Sequence, residues 1–215
     1  MGRRSNAREQ ILSAASDLLW ENGCCCATVE NVCERAGILK GSFYYFFESK
    51  TALMTAAVAH IWKTILRPSY ETHFSPETKP DGRIRSFLKW VEELQTEKCI
   101  RVGRVVGWPV FLMGCIQSGS EQPLRDYLCS IDLAERRYFE SALRDTNQSG
   151  AYETFDPVDQ AMVIKATMEW TLSRARLLNR LEELKGLPTI GDMVNRRFSQ
   201  TEHGVFQIPE AIFMK

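Results

Sequence analysis

Apolar residues recur along this chain at helical spacing almost from its start. Ile11, Ala14, Ala15, Leu18 and Leu19 form one stripe, opened by Asn6 with Glu9 three positions on and stopped by Gly23. Val29, Val32, Cys33 and Ala36 repeat the pattern between Thr28, a good N-cap, and Gly37, a good stop. A third helix is predicted from about Lys40 to Phe47. A fourth, capped by Ser49, carries Leu53, Ala57, Ile61 and Ile65 towards Pro68. With a tight turn at "AGIL", the second and third helices have the helix-turn-helix layout, in which the second of the pair reads the DNA major groove.

After a surface loop at 75–82, "SPETKPDG", the pattern stays helical. Ile84, Phe87, Leu88, Val91 and Leu94 form a stripe, Pro109 opens a short helix, and a longer one runs from about Gln122 to Thr146. Asp156, Pro157 and Asp159 start a helix that continues to a stop at Lys185, Gly186 and Pro188, and Thr189 with Asp192 starts the last. No β-type alternation is present, so the predicted fold class is all-α. The tail "HGVFQIPEAIFMK" receives no element. Between Pro157 and Leu184 the apolar residues do not fit one narrow stripe, which means burial on more than one side. A second subunit is the expected partner, giving a homodimer packed as a four-helix bundle with Met162, Met168 and Leu172 at the interface.

Five rings stand in a row at Phe43, Tyr44, Tyr45, Phe46 and Phe47. On a helical wheel Phe47 lies about 40° from Phe43, Tyr45 lies roughly opposite with Gly41 and Ser42, and Tyr44 sits on the flank. The two hydrocarbon rings are expected to enter a small core against Val32, Ala36 and Leu18. The tyrosines are left facing outward, where a phenol packs and also donates to phosphate. Gly41 removes a side chain where a backbone must come close. Lys50, in a helix's first turn, opposes the dipole unless an anion sits there. The run also has a faint likeness to an RNA-stacking strand, but its flanks are helical and not sheet-forming.

Composition narrows the classes. In 215 residues, 44% are hydrophobic and 25% charged, as in an ordinary globular protein. Lys plus Arg and Asp plus Glu number 27 each, so net charge is zero and bulk positive charge cannot drive nucleic-acid binding. The longest apolar stretch, Val105 to Ile116, is interrupted and too short for a bilayer, and "MGRRSNAREQ" is no secretory signal, so a cytoplasmic protein is expected. Seven cysteines, three consecutive at Cys24, Cys25 and Cys26, fit neither a disulfide framework nor a tetrahedral metal site. No metal, cofactor or catalytic residue is expected, since no His/Asp/Glu constellation supports an all-α enzyme. A thiol-switched regulator using Cys25 or Cys33 is the alternative kept open.

The stretch "GCCCATVENVCERAGILKGSFYYFFESKTAL", residues 23–53, resembles the signature of the TetR family of bacterial transcriptional regulators. Gly23, Thr28, Val29, Ala36, Gly37, Lys40, Gly41, Tyr44, Phe47, Lys50 and Leu53 fall in register with it. The resemblance implies that Thr28, Lys40, Gly41, Tyr44, Tyr45 and Lys50 meet DNA, mostly at phosphates. It further implies that Ser42 and Phe46 meet base edges or methyls, and that Arg3 and Arg4 form a basic arm. Leu39 departs from the family at the cap of the recognition helix, as do Phe46 and Ala27 at their positions. The implied architecture is a homodimer of nine-helix subunits. Each has a DNA-binding head at 1–48, a ligand-binding and dimerisation body at 49–203, and a tail at 204–215. The expected function is a ligand-responsive repressor on a pseudo-palindromic operator, released by a largely apolar effector. Trp90, Trp108, Phe111, Met113, Cys115, Tyr127 and Trp170 are the bulky or soft side chains expected to line the effector pocket.

Overall fold

The computed structural model describes residues 2–22, 27–116, 122–149 and 156–195, with 2–6, 115–116 and 192–195 described by backbone alone. The described residues form helices joined by short turns, with no strand among them. Helix α1 spans Gly2–Asn22, α2 Val29–Ala36 and α3 Lys40–Phe46. Then come α4, Lys50–Ile61, a π turn at Trp62–Leu66 and α5, Arg67–His73. They are followed by α6, Pro80–Val102; α7, Pro109–Ile116; α8, Gln122–Gln148; and α9, Pro157–Leu178. A 3-10 turn at Leu181–Leu184 and α10, Leu187–Asn195, complete the order. Helices α4 and α5 are one continuous rod through the π turn, so the described residues hold nine helical rods, as the family resemblance implied.

The helix ends follow the local chemistry in most places. Thr28 Oγ1 accepts from Asn31 N at 3.1 Å and Ser49 Oγ from Ala52 N at 3.0 Å, satisfying donors that a helix start leaves unpaired. Gly37 takes the left-handed conformation, φ 65°, and returns its N–H to the last turn of α2. Asp156 caps α9 through bonds from Val158 N and Asp159 N.

Four expectations are corrected. Helix α1 begins at Gly2, because the Asn6–Glu9 pair lies inside a helix that continues upstream of it. Pro68 does not end the fourth helix. A wide π turn immediately precedes it and makes room for a ring that would otherwise strike the preceding turn's carbonyl. Helix α9 stops at Leu178, six residues before the anticipated end region at 184, because Asn179 adopts φ 50° and caps it. Met168 and Leu172 are fully buried inside the subunit and cannot face a partner. The exposed large apolar residues of α9 are Val158, Met162, Val163, Trp170, Leu177 and Leu178, with Val163, Trp170 and Leu177 in line at seven-residue spacing.

Candidate nucleic-acid interface

Helices α1, α2 and α3 pack around the rings of Phe43 and Phe47. Phe43 is 0% exposed and Phe47 5%, their centroids 5.8 Å apart, within a cluster that includes Leu18 and Val32. Arg8 lies over the Phe47 ring at 5.5 Å, a cation–π contact that no sequence signal had marked. An Arg35–Glu21 ion pair, 2.8 Å, ties α2 to α1.

The opposite face of α3 is turned outward. Tyr44 is 56% exposed and Tyr45 68%, while Phe46 is half-buried with its ring edge-on to Tyr45 at 4.9 Å. Gly41 is exposed, and a Cβ there would meet nothing within 4 Å, so the fold itself does not demand glycine. Ser42 is half-buried. Leu39 precedes α3 in extended backbone with no side-chain cap bond and is 80% exposed. Lys50 is exposed in the first turn of α4. Lys40 is exposed too, but its ammonium is bonded to the Glu30 carboxylate in the first turn of α2. That contact holds Glu30 below and Lys40 above their usual pKa ranges. Thr28 is occupied as a cap. The Arg3 and Arg4 side chains lie outside the described residues; their backbone is in α1.

In the body the seven expected pocket residues have different surroundings, although Trp90 and Trp108 both lie against the Phe87 ring, at 5.5 and 6.4 Å. Trp108 and Met113 are each 1% exposed. Phe111 and Tyr127 are half-buried, and Cys115's side chain lies outside the described residues. Trp90 lines a separate open groove of about 420 Å³ with Thr64, Ile65, Pro68, Ser69, His73 and others. Trp170, 65% exposed on the outer face of α9, cannot line an interior pocket, because its position on the wheel belongs to the face turned away from the core.

Sequence reasoning missed a buried charge network. Lys165 donates to Asp132 Oδ1 at 2.7 Å, lies 3.3 Å from Glu135 Oε2 and bonds Glu169. Trp108 Nε1 donates to Glu135 Oε1 at 3.0 Å. Burial pushes the Glu135 carboxyl up to about 7 against the pull of Lys165, and the carboxylates in turn hold Lys165 charged. The fully buried Tyr70 hydroxyl faces the same carboxylates, so its pKa is raised well above the phenolic range by desolvation first and then by Glu135. Tyr70's ring stacks on Phe87 at 4.3 Å and Tyr138 at 5.0 Å. The signal was present in the sequence: Glu135 lies in the stripe of Leu128, Ile131 and Phe139, and Lys165 beside Ala161, Ile164 and Met168. An ionisable residue in a core register needs a partner. Cys33 is buried, and desolvation followed by Glu30 pushes its thiol up, so a reactive thiolate finds no support there; Cys25 lies outside the described residues.

Comparison with known proteins places this geometry. Residues 11–57 match the family described as bacterial regulatory proteins, tetR family. An uncharacterized HTH-type transcriptional regulator of Lactococcus lactis subsp. lactis is 24% identical over 119 residues, 55% of this chain and 61% of that relative. A TetR-family transcriptional regulator from Agrobacterium tumefaciens superposes with TM-score 0.78 at 15% identity, covering 91% of this chain and 99% of that one. One from Chloroflexus aurantiacus gives 0.78 at 22%, covering 92% and 98%. The regulatory protein TetR of Rhodobacter sphaeroides gives 0.76 at 23%, covering 86% and 97%. At such identities the superpositions speak for the fold, and the matched N-terminal helices speak for the family. Residues 11–57 are thus similar to the tetR family of bacterial regulatory proteins, and the chain as a whole shares the fold of these regulators.

Proposed function

We propose that the chain is a ligand-responsive, DNA-binding transcriptional regulator that acts as a repressor in the cytoplasm. Residues 1–48 form its DNA-binding head and 49–203 its ligand-binding and dimerisation body. The observation that carries this reading is the outward face of α3. Two tyrosines stand exposed beside a glycine that the fold does not need, while Phe43 before them and Phe47 after them are buried in the core. A duplex backbone approaching Gly41 would be met by Tyr44, Tyr45 and Lys50, with Ser42 and Phe46 towards base edges and Thr28 and the arm of Arg3 and Arg4 on phosphates. Lys40 would exchange Glu30 for a phosphate. Two heads would occupy successive major grooves about 34 Å apart. The dimer would form through the exposed line of Val163, Trp170 and Leu177 with Met162 beside it, leaving Met168 and Leu172 inside each subunit.

The effector would be largely apolar and enter the body near Trp108, Phe111, Met113 and Tyr127. Because effector and operator favour different head spacings, each weakens the other by one shared coupling free energy. Selection of bound sequences from random DNA, followed by gel shifts with Tyr44→Ala and Tyr45→Ala, tests the reading. Enrichment of a pseudo-palindrome whose binding both variants weaken is the expected outcome. Absence of an enriched sequence, or unchanged binding in both variants, overturns it.

A further inference from the structure

Residues 105–108 cross the interior between α6 and α7 without helix or strand. Val105, Val106 and Trp108 are each at most 1% exposed, and Gly107 is buried. Buried backbone polar groups need partners, and here side chains supply them. Asn179 Oδ1 accepts from Val105 N at 3.0 Å, and Arg176 donates to the Val106 carbonyl. The Gln95 amide closes a reciprocal pair with Gly107, accepting from its N–H at 3.0 Å and donating to its carbonyl at 2.9 Å.

The same Gly107 carbonyl accepts a bond from the Trp20 indole of α1 at 3.2 Å. The next residue, Trp108, sends its own indole N–H to Glu135 of α8 at 3.0 Å. Glu135 then meets Lys165 of α9, whose ammonium already fills the space among Asp132, Glu135 and Glu169, so that cluster is a paired centre and not a metal cradle. Gly107 sits at φ 75°, and a Cβ there would come within 2.9 Å of Leu112 Cδ1 and 3.3 Å of Arg176 Cδ. On the α1 side the joint is reinforced by Lys98, 4.0 Å over the Trp20 ring, and by Arg104 on Asn22.

We propose that residues 105–108 are a second link between the DNA-facing helices and the body, independent of the α4–α5 rod, in which Trp20 and Trp108 are positioning residues that fasten adjoining backbone to α1 and to Glu135. A displacement of α7 or α8 is delivered to α1 through Gly107, because a strap held by hydrogen bonds on both sides moves as a unit. The link's use rests on the regulator reading above. Its test needs neither DNA nor effector, so the two fail separately.

The experiment is hydrogen–deuterium exchange on the full chain with Trp20→Phe, Trp108→Phe and the double variant, each keeping a ring and deleting one N–H. Trp108→Phe is expected to speed exchange of the Leu18–Trp20 amides about 3- to 10-fold, although its bond is to α8. Trp20→Phe should do the same to Val110–Met113, and the double variant should fall short of the product of the two. Acceleration confined to each ring's own surroundings, or a full product in the double variant, overturns the link. If Trp108→Phe does not fold, Glu135→Met removes the acceptor while leaving Lys165 two carboxylates, and the same acceleration at Leu18–Trp20 is required of it.

Discussion

The core under α1–α3 and the core of the body are built from different materials. The buried residues of α1–α3 include Ile11, Leu18, Val32, Cys33 and Phe43, with Phe47 just past α3, and no charged side chain of α1–α3 is buried among the described residues. The body buries Arg83, Lys98, Glu135, Glu140, Lys165 and Glu169 alongside its rings. The first interior is held mainly by non-directional burial and by caps that act within four residues of themselves, with bonds from Ser16 to the Ala57 carbonyl and from Trp20 to the Gly107 carbonyl tying α1 to the rest. The second is held by pairs that join residues thirty or more positions apart, such as Lys165 with Asp132 and Arg83 with Asp145 at 2.5 Å. Such pairs barely offset their dehydration when complete, and cost heavily when one member is removed.

That contrast can be broken experimentally. Lys165→Met strands Glu135 and Glu169 without a counter-charge and should destabilise the whole subunit by about 3–5 kcal/mol in urea unfolding; a loss below about 1 kcal/mol would mean the body is as indifferent to charge as the head. Phe43→Ala should cost about 3–5 kcal/mol, felt in the melting of α1–α3 and not of α8–α9, as read by hydrogen exchange. Near-native protection of α1–α3 in that variant would remove Phe43 from the core.

A pH experiment sharpens the body's side of the contrast. Burial raises the folded Glu135 pKa to about 7, from an ordinary carboxyl value of about 4.5. Between those values the folded chain holds a proton that the unfolded chain has released. Wild-type stability therefore falls as pH rises through that window. Glu135→Gln abolishes this fall, so its Tm relative to wild type should improve from pH 5 to pH 8, by about 1–3 kcal/mol equivalent. A constant difference between the two proteins would refute it. Thr28→Ala, a local cap on the head side, should cost only about 1 kcal/mol and show no pH dependence between 5 and 8.

The smallest effects on stability belong to the exposed lysines. Lys50→Ala should leave unfolding unchanged and lower the salt slope of DNA binding by about one. Lys40→Ala should lower it by less, because Glu30 already holds that ammonium and is released when phosphate takes it. Equal slopes for the two variants would show that the Glu30 pair has no bearing on binding.

The head could be read from the sequence because its instructions are short-range. Thr28, Gly37 and Ser49 each act on their own turn, and the wheel positions of Phe43 and Phe47 decide their burial without outside help. The body was read only in outline. Asn179 ends α9 by adopting a left-handed conformation that asparagine tolerates but does not announce. Trp170 looks like a core residue until the fold shows which side of α9 meets α8. Charges at Glu135 and Lys165 sit in apolar registers, and their mutual neutralisation appears only when two helices are placed side by side. Trp90, Trp108 and Trp170 are alike as letters, and the fold sends them to a groove, a core and an outer face.

The π turn at Trp62–Leu66 has a further implication for how this rod tolerates changes of length. A wide turn absorbs one surplus residue while the helix on either side keeps its facing. Deleting a single residue elsewhere between Lys50 and Ser69 would swing everything beyond it by about 100° and carry Tyr70 out of its stack. Removing Lys63 would instead restore ordinary winding with Tyr70 still facing Phe87.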